Sequence, residues 1–213
     1  MRVLLGAFDP FGGEKINPAL EAIKGVCERL GEIEIRKVEI PTVFVKSYQV
    51  LLEEARAYQP DVILVIGQAG GRYEISLERV AINLDDARIE DNEGNQPIDQ
   101  RIFEDGENAY FSNLPIKAML KEMRGAGIPS AISNTAGTFV CNHIMYAMMH
   151  YIYKFQIAKR GGFIHIPYFP SQVVGRENTP CMDRQTVVRG IEIAIEAIGK
   201  YSKDIQWIGG KEF

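Results

Sequence analysis

One cysteine and three histidines are the residues in this sequence most able to do covalent chemistry. Cys141 follows the strand-like segment IPSAIS and the loop NTAGTFV, at the start of a predicted helix. Free backbone N–H groups and the helix dipole favour a thiolate at such a position and can also hold an oxyanion. By its position alone, Cys141 is either a nucleophile or a cysteine that packs at a helix start.

Helical spacing indicates which histidine can act as a base for the Cys141 thiol. At about 100° per residue, His143 is rotated about 200° and His150 about 180° from Cys141, so both point away from the thiol. His165 lies in GFIHI, a predicted strand elsewhere in the chain. A histidine on a strand is often a buried core residue, but His165 is the one that spacing leaves available as a base.

A base of this kind needs a third group to orient it, and one acidic segment supplies several candidates. Most carboxylates in so dense a cluster form a solvated face, and composition does not choose among them. The candidates are Glu74, Glu78, Asp85, Asp86, Glu90 and Asp91.

The other two cysteines are predicted to have no catalytic role. Cys27 falls on the apolar stripe of a predicted helix that continues to Gly31, where it would pack as a small hydrophobe. Cys181 lies in the polar loop RENTPCMDR, exposed, where oxidation could cross-link subunits. Three cysteines without a CxxC pair indicate neither a disulfide framework nor a zinc site.

Length and composition indicate one globular domain spanning 1–213. The 213 residues are 46% hydrophobic and 24% charged, with a net charge of −4. This balance argues against nucleic acid or an anionic membrane as a partner. The apolar run near the N-terminus is too short for a signal peptide, and no segment is long enough for a membrane span, so a cytoplasmic protein is expected.

Alternating apolar runs and helical patterns predict a layered α/β domain. DVILVIG reads as a central strand covered on both faces. Asn17 and Asp183 are predicted N-caps, with Pro18 at the first helical position after Asn17. The final residues, from about 201 to 213, are expected to form a loosely held tail.

Four segments resemble the pyroglutamyl peptidase I family of cysteine peptidases, also called pyrrolidone-carboxylate peptidases. They occur in the family's order and are GAFDPFGGEKINP, GQAGGRYEISLERVAINLDDARIEDNEG, SNTAGTFVCNHIMY and FIHIPYFPSQ. The resemblance covers residues 1 to about 200. It implies a three-layer α/β/α sandwich around a mostly parallel, mixed sheet, similar to that of the glycosidic-bond phosphorylases. It also implies hydrolytic removal of an N-terminal pyroglutamyl residue from peptides.

The family's functional positions transfer to named residues of this chain. The resemblance implies Cys141 as nucleophile, His165 as base and Glu78 as the acid, with Arg88 near the oxyanion. The implied ring-binding residues are Phe8, Phe11, Asn17, Gln68, Ile89 and Val140. No cofactor or metal is implied, and a homotetramer is expected. Ala7 and Glu90 depart from the family's usual glycine and proline, which affects the expected pocket shape and not the reaction type.

The residues suit a pyroglutamyl substrate, which is a neutral lactam without an ammonium group. Two phenylalanines can enclose the flat ring, and hydrogen bonds to the lactam should reject proline, which lacks its carbonyl. Without the resemblance, core packing is the simpler interpretation of Phe8 and Phe11.

Two other classes of function remain as alternatives. GAFDPFGG could cradle a phosphate in a nucleotide-binding or phosphorolytic protein, although it lacks the GK[ST] ending of a P-loop and the dinucleotide glycine spacing. A non-catalytic binder that kept the pocket is the other alternative, and the presence of all three triad residues argues against it.

Overall fold

A mixed sheet forms the centre of the fold in the computed structural model, which describes residues 1–210. Its seven strands over those residues are β1 (Arg2–Phe8), β2 (Arg29–Leu30), β3 (Ile33–Ile40), β4 (Val62–Gln68), β5 (Ile75–Glu78), β8 (Ser130–Ser133) and β9 (Arg160–Ile166). The order across the sheet is β2-β3-β1-β4-β9-β5-β8. A separate ribbon pairs β6 (Val80–Ile82) with β7 (Ala109–Phe111).

Five helices within residues 1–210 cover the two faces of this sheet. They are α1 (Pro18–Gly25), α2 (Lys46–Tyr58), α3 (Ile116–Gly125), α4 (Val140–Phe155) and α5 (Arg184–Lys200). α1, α3 and α5 pack on one face, and α2 and α4 pack on the other. The fold is therefore a single α/β domain with three layers, which confirms the predicted class.

Strand β4 illustrates how the sequence specifies the two cores. Val62, Leu64 and Ile66 point to the α1 face, while Ile63 and Val65 point to the α4 face. All five side chains are fully buried. Burying one such side chain contributes about 1.5–3 kcal/mol, so an uninterrupted apolar strand is stable only between two helical layers.

Strand direction determines which residues meet at the sheet edge. β1, β3, β4 and β9 run parallel, so their C-terminal ends lie at one edge. β5 runs antiparallel to β9, pairing Glu78 with Phe163 and Ser76 with His165. Directly paired residues share a face, and therefore Glu78, Phe163 and His165 all point toward α4.

Both predicted N-caps are confirmed. The Asn17 side chain accepts from the Ala19 N–H at 3.0 Å, with Pro18 at the first helical position. The Asp183 carboxylate accepts from the Thr186 N–H at 2.9 Å. These polar side chains satisfy helix donors that have no partner within the helix, which is why each helix begins where it does.

The predicted extension of α1 to Gly31 is wrong. The helix ends at Gly25, and Cys27 is exposed on the segment that follows it. The Cys27 N–H donates to Glu192 Oε1 on α5 at 2.9 Å, and Leu30 pairs with Ile33 in the sheet. Strand pairing and a long-range hydrogen bond therefore replace the last helical turns, beginning at a glycine that favours helix poorly.

The tail from residue 201 is held more closely than predicted. The Asp204 carboxylate accepts from the N–H groups of Lys117 and Ala118, both at 3.0 Å. A residue remote in sequence therefore caps the N-terminus of α3. Trp207 packs against the core, with the Arg124 guanidinium 6.0 Å from its ring centroid. Residues 211–213 of the predicted tail lie outside the described residues. Among residues 1–210, no helix is long and apolar enough to cross a membrane.

Candidate active site

Cys141 is the second residue of α4, as its position in the sequence predicted. The N-cap residue, Phe139, provides no side-chain hydrogen bond to the helix start. The His143 N–H is already paired with the Phe139 carbonyl at 3.1 Å, whereas Cys141 lies before this first helical bond. The backbone N–H of Cys141 is therefore available to an anionic group at the positive end of the helix dipole.

The thiol of Cys141 approaches the sheet at Gly67 on β4. Gly67 is paired with His165 across β4 and β9. A Cβ added at Gly67 would lie 3.2 Å from Cys141 Sγ and 2.7 Å from the Phe163 ring. The Phe163 and His165 ring centroids are 4.8 Å apart. An added side chain would overlap the Phe163 ring and crowd the thiol, so glycine fits this position best.

Glu78 is the carboxylate that contacts His165. Its Oε1 lies 2.7 Å from His165 Nδ1, and both side chains are almost fully buried. The contact follows from the sheet register, because Glu78 pairs with Phe163, two residues from His165 on the same face. Of the six acidic candidates in the sequence, this is the one bonded to the strand histidine.

Arg72 is a site residue that the sequence interpretation missed. Its Nη1 donates to the same Glu78 Oε1 at 2.6 Å, and its Nη2 donates to the Thr135 carbonyl at 3.2 Å. Glu78 Oε2 is buried and has no hydrogen-bond partner within residues 1–210. No local pattern signals this role, although Arg72 directly follows Gly70-Gly71 in the motif GQAGGRYEISLE.

Opposing effects set the charge state of Glu78. Burial alone would raise its pKa, but the hydrogen bond and charge of His165, together with Ser133 and Arg72, outweigh burial and lower it. Glu78 is therefore a carboxylate near neutral pH. As an acceptor it holds the proton of a neutral His165 on Nδ1, which leaves Nε2 free to accept another.

The resting state of Cys141 differs from the expected thiolate. Burial, followed by the negative charge of Glu78, raises the pKa of the thiol to about 12, and the Arg72 charge and the backbone N–H oppose that rise only in part. The helix dipole is thus outweighed by desolvation and by a nearby carboxylate. At neutral pH Cys141 is a thiol, which needs a neighbouring base to become a nucleophile.

The two histidines on α4 have structural partners instead. His143 Nδ1 lies 2.7 Å from Asp85 Oδ2, and the Val45 N–H donates to His143 Nε2 at 3.0 Å. His150 Nδ1 lies 3.1 Å from the Tyr110 hydroxyl. Both rings are buried and paired away from the thiol, in agreement with the helical spacing.

The two phenylalanines expected to enclose a ring have different surroundings. Phe8 is buried, with its ring centroid 6.3 Å from that of Phe163. Phe11 is half-buried, 6.3 Å from Phe139, the residue that begins α4. Phe8 thus also packs in the core, whereas Phe11 is partly exposed and lies near Phe139 at the start of α4.

The remaining expected pocket residues differ in how free their groups are. The Asn17 side chain is buried and also donates to the Asp9 carbonyl at 3.0 Å, so it retains one donor and one lone pair for a ligand. Gln68 is half-buried at the end of β4, and its Oε1 accepts from Gln172 at 3.0 Å. Val140 is fully buried, and Ile89 is half-buried.

Arg88 is exposed on the loop between β6 and β7. Its guanidinium forms no hydrogen bond or ion pair with another residue in the described part of the chain, in contrast to Arg72. The same described residues contain no group of three or more histidine, cysteine, aspartate or glutamate side chains able to hold a metal ion.

Removing the charge of Arg72 should slow alkylation of Cys141. The guanidinium lowers the pKa of the thiol, so Arg72→Gln raises that pKa and leaves less thiolate at any given pH. We expect iodoacetamide to label Cys141 about three- to tenfold more slowly at pH 8, since one pKa unit is a tenfold change in thiolate. Peptide-resolved mass spectrometry separates this label from those on the exposed Cys27 and Cys181.

Two matched variants control this measurement. Arg72→Lys keeps a positive charge and should slow labelling less than Arg72→Gln does. Arg79→Gln removes a charge one residue beyond Glu78 without removing a contact to that carboxylate, and it should label at the wild-type rate. A rate of Cys141 labelling in Arg72→Gln equal to that of the wild type would contradict the electrostatic role of Arg72.

Comparison with known proteins gives consistent matches over almost the whole chain. A family model described as pyroglutamyl peptidase matches residues 1–201. The pyrrolidone-carboxylate peptidase of Clostridium perfringens is 57% identical over 210 residues, covering 99% of each chain. The pyrrolidone-carboxylate peptidase 1 of Streptococcus pneumoniae is 57% identical over 212 residues, with the same coverage.

Solved structures agree with these sequence matches. The crystal structure of Bacillus amyloliquefaciens pyroglutamyl peptidase I aligns with a TM-score of 0.92 at 47% identity, over 96% of this chain and 99% of that one. The pyrrolidone carboxyl peptidase of Pyrococcus furiosus aligns with a TM-score of 0.91 at 38% identity, over 94% of this chain and 99% of that one.

Proposed function

This chain belongs to the pyroglutamyl peptidase family and is a cysteine hydrolase of that type, and we propose that it removes N-terminal pyroglutamyl residues through a Cys141–His165–Glu78 triad. The observations that support this proposal are the Glu78–His165 hydrogen bond and the position of Cys141 Sγ beside Gly67, the residue that pairs with His165 across β4 and β9. A thiol, an imidazole and a buried carboxylate in that order are the components of acyl transfer by a cysteine.

The first step is formation of a thioester. Glu78 accepts the Nδ1 proton of His165, so Nε2 is the basic nitrogen that takes the proton of the Cys141 thiol. The sulfur then attacks the pyroglutamyl carbonyl carbon, and the carbonyl oxygen becomes an oxyanion. Because burial raises the pKa of the thiol, Cys141 depends on His165 to take its proton.

The start of α4 stabilises the oxyanion. The backbone N–H of Cys141, in the first turn of α4, donates to it at the positive end of the helix dipole. Arg88 is proposed as a second, weaker contributor from its exposed loop, in keeping with the family resemblance. A donor that contacts the oxyanion directly contributes about 10²–10³ in kcat. The size of the loss in kcat on removing Arg88 therefore distinguishes a direct contact from a distant charge.

The second step releases the products and restores the enzyme. The imidazolium of His165 protonates the departing amine as the C–N bond breaks, leaving the pyroglutamyl thioester on Cys141. His165 then takes a proton from water, the hydroxyl attacks the thioester, and the proton returns to the sulfur as pyroglutamate leaves. Every proton passes through Nε2, and no cofactor or metal takes part in these steps.

Selection of the pyroglutamyl ring is proposed to rest on shape and on neutral hydrogen bonds. Phe8, Phe11 and Val140 provide apolar surface for the flat ring, with Ile89 at the loop side. The amides of Asn17 and Gln68 provide donors and acceptors for the lactam. An amide-lined pocket without a carboxylate suits a lactam better than the ammonium group of an ordinary N-terminus.

Assembly and location are proposed from the family resemblance. We expect a homotetramer in the cytoplasm, with pyroglutamyl peptides as the binding partners. Cys181 is exposed, so cross-linking through it under oxidation remains a proposal that gel filtration under reducing and oxidising conditions can test.

Product analysis tests the proposed reaction. The reduced protein is incubated with a pyroglutamyl tripeptide in phosphate-free buffer, and the products are identified by mass spectrometry. We expect free pyroglutamate and the shortened dipeptide in equal amounts. An intact tripeptide after incubation with folded, reduced protein would contradict the proposal.

A further inference from the structure

Arg72 connects two parts of the candidate site that lie far apart in the chain. Its Nη1 donates to Glu78 Oε1 at 2.6 Å, and its Nη2 donates to the Thr135 carbonyl at 3.2 Å. Glu78 ends β5, whereas Thr135 lies in the loop between β8 and α4, 63 residues from Arg72. That loop leads directly to the first turn of α4, which carries Cys141. One guanidinium therefore joins the carboxylate beside His165 to the segment that precedes the thiol.

A glycine turn precedes Arg72. The Arg72 N–H donates to the Ala69 carbonyl at 3.3 Å, and Gly71 has a φ of +89°. Glycine adopts that conformation at no steric cost, unlike residues with a side chain. The turn follows the end of β4 and leads into β5, whose last residue, Glu78, accepts from the guanidinium.

Two side chains share one oxygen of Glu78. Arg72 Nη1 and His165 Nδ1 contact Oε1 at 2.6 and 2.7 Å, while Oε2 has no hydrogen-bond partner within residues 1–210. The terminal torsion of a glutamate is soft, so a carboxylate held by the imidazole alone turns easily about that bond. A second donor, itself fixed at the Thr135 carbonyl, keeps Oε1 in line with the imidazole.

The guanidinium is also reachable from solution. The Arg72 side chain is 31% exposed, whereas that of Glu78 is fully buried. Arg72 lines a cleft of about 380 Å³ together with Thr135 and Ser133. Ser133 pairs with Glu78 across β5 and β8, so the cleft lies next to the triad carboxylate. A small cation from solution therefore has a route to the place of the Arg72 head group when that side chain is shortened.

We propose that Arg72 is a positioning residue for the triad: its guanidinium holds the Glu78 carboxylate against His165 and ties it to the loop that precedes Cys141. The proposal rests on the proposed function, because it assigns Arg72 a part in that same reaction. Arg72 acts through Glu78 and not through the bound peptide. Its loss should therefore lower kcat and leave KM nearly unchanged.

Three variants separate this role from charge and from packing. Arg72→Ala removes the guanidinium, and N-ethylguanidinium supplies the atoms that this variant lacks. Arg72→Lys keeps a positive charge without the planar fork that reaches two acceptors. Arg79→Ala is the control, because it removes an arginine one residue beyond Glu78 without removing a contact to that carboxylate.

The measurement is kcat and KM for pyroglutamyl-β-naphthylamide, with the thermal midpoint of each variant. We expect Arg72→Ala to lose about 10²-fold in kcat, since a small misplacement of a catalytic group has an effect of that size, and to keep KM within about twofold. Arg72→Lys should lie between Arg72→Ala and the wild type.

Added cations provide the sharper readout. Millimolar N-ethylguanidinium should raise kcat of Arg72→Ala about tenfold, and ethylammonium, which has the charge without the fork, should raise it less than about twofold. The wild type and Arg79→Ala should be unaffected by either cation, which controls for ionic strength and for denaturation.

Several results would overturn the role of Arg72. A folded Arg72→Ala variant with wild-type kcat, or with a loss confined to KM, would show that the guanidinium does not act through Glu78. Equal effects of the two cations, or no effect of either, would reduce its role to charge or to packing. If Arg72→Ala does not fold, kcat and KM of Arg72→Lys decide in its place.

The wild-type protein separates this proposal from the function on which it rests. Wild-type protein that fails to cleave the naphthylamide would overturn the proposed function itself. Normal wild-type cleavage with an unchanged kcat in folded Arg72→Ala would overturn only the role of Arg72.

Discussion

Cys141→Ser is expected to lower kcat/KM for pyroglutamyl-β-naphthylamide by about 10⁴-fold or more. The serine hydroxyl is a far weaker nucleophile than the thiol, and its proton is harder for His165 to remove from the same half-buried position. Residual turnover would come from the pocket and the helix N-terminus alone. Release of naphthylamine under reducing conditions, followed by fluorescence, measures the effect.

The two exposed cysteines are the matched controls for this variant. Cys27→Ser and Cys181→Ser change the same atom at exposed positions, and each should retain activity within about twofold of the wild type. Circular dichroism and the thermal midpoint establish that Cys141→Ser is folded. Substantial activity in folded Cys141→Ser, or its loss in Cys181→Ser, would contradict the assignment of the nucleophile.

Glu78→Gln should lower kcat by about 10³–10⁴-fold with a smaller change in KM. The amide nitrogen can face His165 Nδ1, which favours the tautomer with its proton on Nε2 and so removes the base. Even with the amide oxygen facing Nδ1, no negative charge stabilises the imidazolium that forms during attack. Arg72 also loses its ion-pair partner at 2.6 Å, which places an unpaired cation beside His165.

Glu90→Gln is the control because Glu90 belongs to the same acidic stretch but is exposed. It should retain nearly full activity, which separates the buried carboxylate from the general charge of this segment. A Glu78→Gln protein that is folded and retains more than about a tenth of wild-type kcat would contradict the proposed role of Glu78. If Glu78→Gln does not fold, Glu78→Asp, which keeps the charge, is used in its place.

The sequence predicted those features that depend on residues close together in the chain. The caps of α1 and α5 are read from one side chain and the next three residues, and both are confirmed. The buried strand β4 is specified by its own continuous apolar run. The exclusion of His143 and His150 needed only the pitch of one helix.

Features set by contacts distant in sequence were missed. The early end of α1 depends on Glu192, 165 residues away, and on pairing with β3. The capping of α3 by Asp204 and the link from Gln172 to Gln68 join segments 87 and 104 residues apart. No local pattern encodes such pairs, because each half is an ordinary polar residue until the fold brings it to its partner.

The charge state of Cys141 shows why position in a helix is an incomplete guide. The sequence correctly placed the cysteine in the first turn of α4, where the dipole favours a thiolate. It contained no information on desolvation or on the distance to Glu78, and these raise the pKa of the thiol instead. Electrostatics at a buried site depends on the whole neighbourhood and not on one element.

Turnover of pyroglutamyl-β-naphthylamide and prolyl-β-naphthylamide, side by side, is the most direct test of the central claim. The reduced wild-type protein is assayed at equal concentrations of each compound under identical conditions. We predict that kcat/KM for the pyroglutamyl compound exceeds that for the prolyl compound by about 10⁴-fold, because only the lactam carbonyl satisfies the polar groups of the pocket. Equal cleavage of the two compounds, or cleavage of neither, would contradict the account.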